Sequence, residues 1–213
     1  MLALRQQAAV ARGDVSSFID VLTMSLGYYH EAPADAGQDL EILTPLRTLG
    51  MSGTVVITAA GNDSTDRPMY PAALTPYAGG TVTAPDPNCV PIVSVGALNP
   101  SGQTIALFSN LGPWVACHRV GAALVSTFPK TFNGSVQPPI EVYVPGDGLR
   151  SSFDIDDFRG GFGTWSGTSF AGPILAGEIA AQLCNQNLTQ VDQTTAVQRG
   201  WAAVTARVPN LHP

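Results

Sequence analysis

Residues 18–26 form an apolar run that stops at Gly27, as a buried strand would. Between Gln38 and Met51 the pattern changes. Leu40, Ile42, Leu43, Leu46 and Leu49 recur at helical spacing, with Pro45 either kinking the helix or delaying its start. Gly50 and Gly53 punctuate, and residues 54–60 read as a second buried strand. Two such strands joined by a helix predict a parallel βαβ unit with a right-handed crossover. A Pro-rich loop over residues 68–91 leads to a third short strand at 92–97. Residues 169–184 predict a helix in which Phe170, Ile174, Ile179 and Leu183 alternate with Ala and Gly; small residues let it lie close to its neighbours, so it is expected to be buried. Residues 2–10 look like the tail of a helix. Residues 127–164 read as an irregular insertion within one domain spanning 1–213. The expected class is α/β, a mostly parallel sheet flanked by helices in three layers.

Composition narrows the functional classes. Hydrophobic residues make up 45% and charged residues 12%, which predicts a globular chain with a real core. A net charge of -6 and the lack of any Lys/Arg run argue against a nucleic-acid surface. Pro, Gly or polar residues interrupt every candidate membrane span. The first residues lack the basic-then-apolar order of a secretory signal. Cys89, Cys117 and Cys184 match no zinc or redox spacing. Cys184 is expected to be a small buried hydrophobe, while Cys89 and Cys117 flank a strand-like segment and leave a disulfide open. No metal site is expected, since Asp154, Asp156 and Asp157 read as a solvated loop, and no cofactor is expected either.

Two strings carry candidate chemistry. In Ser166-Gly167-Thr168-Ser169-Phe170-Ala171-Gly172-Pro173, Ser169 falls at the start of a buried helix. Backbone N–H groups there are unpaired and sit at the positive end of the dipole, which suits an oxyanion formed by attack of a hydroxyl on a carbonyl. A plain N-cap serine is the structural alternative. In Ala59-Ala60-Gly61-Asn62, an Asn amide ends a parallel strand, at the edge where ligand sites gather in open α/β sheets. There the alternative is a turn Asn, since Asn62-Asp63 is good turn chemistry.

Together with Thr23-Met24-Ser25-Leu26-Gly27, Tyr70-Pro71-Ala72, Val93-Ser94-Val95-Gly96-Ala97 and Phe108-Ser109-Asn110-Leu111-Gly112, these strings occur in the order and spacing of subtilisin-like serine peptidases. The chain resembles the C-terminal two-thirds of that family's catalytic domain, over about residues 15–185. The resemblance implies a partial subtilisin-like fold and a serine endopeptidase acting on polypeptides in a secreted or extracellular setting. It implies that Ser169 is the nucleophile and Asn62 the side-chain oxyanion donor. Ser25, Leu26 and Gly27 would pair with the substrate backbone as an added strand, and Ala59, Ala60 and Gly61 would line a pocket for one substrate side chain.

The same resemblance exposes a gap. The family's order is Asp, His, Ser, yet no Asp-Ser/Thr-Gly or His-Gly-Thr string occurs here. Serine is a poor nucleophile unless a base takes its proton. His30 is placed better for a subsite contact than for a base, His118 reads as a loop residue, and His212 lies next to the C-terminus. The expectation is therefore a truncated chain whose Asp and His lie in a missing N-terminal segment, and which hydrolyses peptides poorly by itself. A protease-like peptide-binding module is the alternative. An α/β-hydrolase elbow, with Asp192 and His212 following Ser169, is disfavoured because residues 160–164 do not read as the strand it requires.

Overall fold

The computed structural model describes residues 1–32, 35, 37–129, 141–151, 161–186 and 191–213. They separate into two compact units, Met1–Ala122 with Ser166–Pro213, and Ala123–Trp165. Asp154, Asp156 and Asp157, read from the sequence as a solvated loop, lie outside the described residues.

In the larger unit, β1 (Val21–Met24), β2 (Val55–Ala59), β3 (Ile92–Leu98) and β4 (Cys117–Val120) form a parallel sheet in that order. Among the described residues this unit carries the α-helices α1 (Leu2–Arg12), α2 (Gln38–Met51), α3 (Thr168–Cys184) and α4 (Gln193–Arg207). Strand side chains alternate between faces, and β2 shows why both faces must be apolar. Val55 and Ile57 pack in one cluster with Leu175 and Ile179 of α3 and Val204 of α4. Val56 packs in the other with Leu43 and Leu46 of α2. All five residues of β2 are buried. Each Val or Ile there contributes roughly 1.5–3 kcal/mol through burial.

The small residues of α3 explain how close it comes. It lies across all four strands, and a methyl group on Gly172 would stand 3.6 Å from Thr23 Oγ1 and 3.8 Å from Ile57 Cγ2. The N-terminal elements are fastened by polar contacts. Gln6 is fully buried and its Nε2 donates to Ser52 O at 3.2 Å, while its Oε1 accepts from Ile19 N at 2.8 Å. Arg199 of α4 pairs with Asp20 just before β1.

The expected βαβ unit is present, with narrower strands. β1 covers only Val21–Met24, because its ladder with β2 runs from Val21↔Val55 to Met24↔Thr58 and β2 turns away soon after. Pro45 sits inside α2 without ending it.

Cys184 is exposed, not buried. Leu175, Ile179 and Leu183 form the buried stripe of α3, and Cys184 lies one residue, about 100° of turn, beyond it. All three cysteines are free. Cys89 Sγ lies 3.6 Å from Arg47 O, on the α2 side, whereas Cys117 packs with the α3-side cluster. Burial raises both thiols, Cys117 to about 11.

In the smaller unit, β5 (Leu124–Thr127) pairs antiparallel with β8 (Phe162–Trp165), and β6 (Glu141–Val144) pairs antiparallel with β7 (Gly148–Ser151). Residues 162–165 are thus a strand, against the sequence reading. Being one half of a two-stranded antiparallel pair, β8 does not belong to the parallel sheet on which a hydrolase elbow is built.

Candidate active site

The site forms where β2 ends and α3 begins. Ala59 and Ala60 are buried, and Ala60 N donates to Val95 O at 3.0 Å. Gly61 then takes a φ of 107°, a conformation open to glycine at little cost, and turns the chain outward so that Asn62 is exposed. Asn110, itself fully buried, holds this turn. Its Nδ2 donates to Ala60 O at 2.9 Å, its Oδ1 accepts from Asp63 N at 2.9 Å, and its backbone N donates to Gly61 O at 3.0 Å.

On the facing side, Gly167 N donates to Gly121 O at 2.7 Å and brings in the first turn of α3. Thr168 N donates to Asn62 Oδ1 at 2.8 Å and Thr168 Oγ1 donates to the same oxygen at 3.0 Å, while Gly61 N donates to Thr168 Oγ1 at 3.0 Å. A backbone N–H can only donate, so the oxygen of the Asn62 amide must face Thr168. Its two N–H bonds are left for the other side. Ser169, next in the turn, is half-buried, and its backbone N–H belongs to the first turn, where no helical acceptor exists. An oriented side-chain amide and a helix N-terminus, two kinds of donor, thus meet through Thr168, the residue before Ser169.

Ser25, Leu26 and Gly27 follow β1 and are exposed, Leu26 by 55%. Ser25 Oγ donates to Ser169 O at 3.2 Å, so this segment lies beside the start of α3. The structure thus brings Ser169, Asn62, Gly61 and Ser25 together. The side chains of Ala59 and Ala60 are core groups, Ala60 in one cluster with Met69.

The histidines sit elsewhere. His30 Nε2 lies 2.8 Å from Asp39 Oδ1, and its ring stacks on Tyr70 at 4.2 Å. The same Asp39 oxygen accepts from Tyr28 OH at 3.1 Å; burial first and this carboxylate second push the Tyr28 hydroxyl up to about 12. His118 lies in β4, not in a loop as the sequence suggested, and its buried Nε2 has no hydrogen-bond partner among the described residues. His212 is exposed. Asp192 caps α4, accepting from Thr195 N at 3.0 Å. Among the described residues, no group of three or more His, Cys, Asp or Glu is placed to hold a metal ion, and no helix is long and apolar enough to cross a membrane.

Sequence reasoning overlooked Thr168 as the group that orients Asn62, Asn110 as the clamp of its loop, and Met69. The strings containing Thr168 and Asn110 stood out, but their partners lie 106 and 50 residues away. Met69 adjoins the Tyr70-Pro71-Ala72 string, which carried no signal of its own.

No curated protein matches the chain. Among solved structures it is similar to a cold-adapted subtilisin-like serine proteinase, with 23% identity over 84% of this chain and 45% of that one, at a TM-score of 0.48. It is similar to a lanthipeptide protease, with 16% identity over 92% of this chain and 56% of that one, at 0.60. It is also similar to the prenylagaramide maturation protease PagA, with 21% identity over 87% and 49%, at 0.50. The chain spans about half the length of these structures. The last two likenesses concern the fold: the parallel sheet with helices on both faces is the subtilisin-like arrangement. The profile of the subtilase family matches residues 6–206, nearly the whole sequence, and the chain belongs to that family.

Proposed function

We propose that this chain carries the acyl-transfer half of a serine endopeptidase centre. Ser169 is the nucleophile, and Asn62 with the Ser169 backbone N–H receives the oxyanion. Ser25, Leu26 and Gly27 pair with an extended polypeptide substrate, and the base and its carboxylate, a His and an Asp, come from polypeptide outside these 213 residues. The observation that carries the reading is the double donation from Thr168 to Asn62 Oδ1, which engages the amide oxygen at the start of α3 and leaves the Asn62 N–H groups to donate on the other side. In subtilisin itself, where the loss has been measured, such a donor is worth about 3–4 kcal/mol of transition-state stabilisation. An extracellular setting goes with this reading.

A serine-directed fluorophosphonate probe tests it. The 213-residue chain is expected to label slowly or not at all and to hydrolyse peptides poorly. An extended polypeptide, translated from in-frame coding sequence upstream of Met1 that carries the Asp and His strings, is expected to label at Ser169 and turn over. Ser169→Ala abolishes both, and Asn62→Ala lowers kcat by about 10²–10³ with labelling retained at a reduced rate. Turnover by the isolated chain that Ser169→Ala removes would sink the split-centre reading. An extended chain that binds peptide without labelling would favour a protease-like peptide-binding module instead.

A further inference from the structure

Gly27, after β1, and Gly61, after β2, face the same side chain. A methyl group built on Gly27 would stand 2.5 Å from Met69 Cε and 2.8 Å from its Sδ; one built on Gly61 would stand 2.2 Å from Asn110 Nδ2 and 2.7 Å from the same Met69 sulfur. Non-bonded carbons rest about 3.5–4.0 Å apart. The thioether therefore already fills the space at Gly27 and, together with Asn110, that at Gly61. Met69 is only 7% exposed and packs with Ala60 and Tyr70. Its position is fixed from behind, because Tyr28 and Tyr70 exchange backbone hydrogen bonds of 2.8 Å in both directions.

A polar rung crosses between the same two walls. Tyr29 OH donates to Asp63 Oδ2 at 2.6 Å and accepts from Asn110 Nδ2 at 2.7 Å. It ties the segment after Gly27 to the loop after Asn62, so the walls cannot spread without breaking these bonds.

We infer that Met69 takes up the depth of the pocket between residues 25–27 and 59–61, making it a specificity-determining residue. The pocket accepts Gly, Ala or Ser at the peptide position preceding the bond to be attacked, and excludes aromatic and large aliphatic side chains. This rests on the reading of Ser169 and Asn62 as the acyl-transfer centre.

The test needs no turnover. The 213-residue chain, labelled with ¹³C at its methionine methyls, is titrated with acetyl-tetraalanine and with acetyl-trialanyl-phenylalanine. Both carry a free carboxylate, the product form of a cleaved substrate. Amide signals of Gly61, Asn62 and Ser169 report peptide in the cleft, and the Met69 methyl reports the pocket. Tetraalanine is expected to move both and to bind about tenfold or more tightly than the phenylalanine peptide. Met69→Ala is expected to remove that preference. If that variant does not fold, the wild-type comparison decides alone. Equal or tighter binding of the phenylalanine peptide by the wild-type chain, with the cleft amides moving, overturns the inference and leaves the acyl-transfer reading standing. If neither peptide moves any cleft amide, both the inference and the acyl-transfer reading are overturned.

Discussion

Asn110 shows how a single amide governs the site while touching no reacting atom. It is fully buried, and both ends of its side chain are engaged, with Ala60 O and Tyr29 OH on the nitrogen and Asp63 N on the oxygen. Replacing it by Leu keeps the approximate volume but orphans Ala60 O and Asp63 N, each at a cost of about 1–3 kcal/mol. Urea unfolding is expected to show this loss at an unchanged m-value; a midpoint within error of wild type would refute the clamp. Ser169 and Asn62 were legible as candidates because a serine at a helix start and an Asn at a strand end each have a local chemical meaning. Asn110 and Thr168 were not, since their roles consist entirely of distant partners.

At the scale of elements, local pattern served well where burial was uniform. The α2 periodicity and the small residues of α3 placed both helices to within a residue or so of their observed ends. It failed at β4, where His118 reads as a loop residue. Arg119 is accommodated by Glu178 of α3, with Nη2 to Oε2 at 2.8 Å, and no spacing rule brings those two together. His118 is accommodated more readily when neutral. Its Nε2, beside Gly96 and Ser109, is buried with no hydrogen-bond partner among the described residues, and burial lowers its pKa from the ordinary value of 6.5. The unfolded chain therefore binds the proton more readily than the folded one. Stability is full above about pH 6.5 and falls as pH drops from there towards the folded pKa. His118→Gln is expected to flatten that part of the pH profile of the unfolding midpoint. An unaltered slope between pH 7 and 5 would assign the acid sensitivity to other groups.

For the molecule as a whole, the two stretches of the larger unit that flank residues 123–165 lie side by side. Gly167 N donates to Gly121 O at 2.7 Å, so the chain ends flanking residues 123–165 are already held together. Replacing 123–165 by a short Gly/Ser turn is expected to leave the larger unit folded, with a thermal midpoint close to the parent's, because closing a shorter loop costs little entropy. Loss of cooperative unfolding in that variant would show that the larger unit depends on the smaller. The sequence by itself determined the layer arrangement, because a strand covered on both faces must be apolar along its length, as Val55, Val56 and Ile57 are, and a helix lying close on it needs small residues. It also supplied the family's motif residues, including Ser25, Asn62 and Ser169. Only the tertiary structure decided which way the Asn62 amide turns, which histidine lies where, that Cys89 and Cys117 stay apart, and that Met69 fills the gap between Gly27 and Gly61. Those outcomes depend on distances between residues far apart along the chain, and periodicity encodes only which face a residue occupies, not what it meets there.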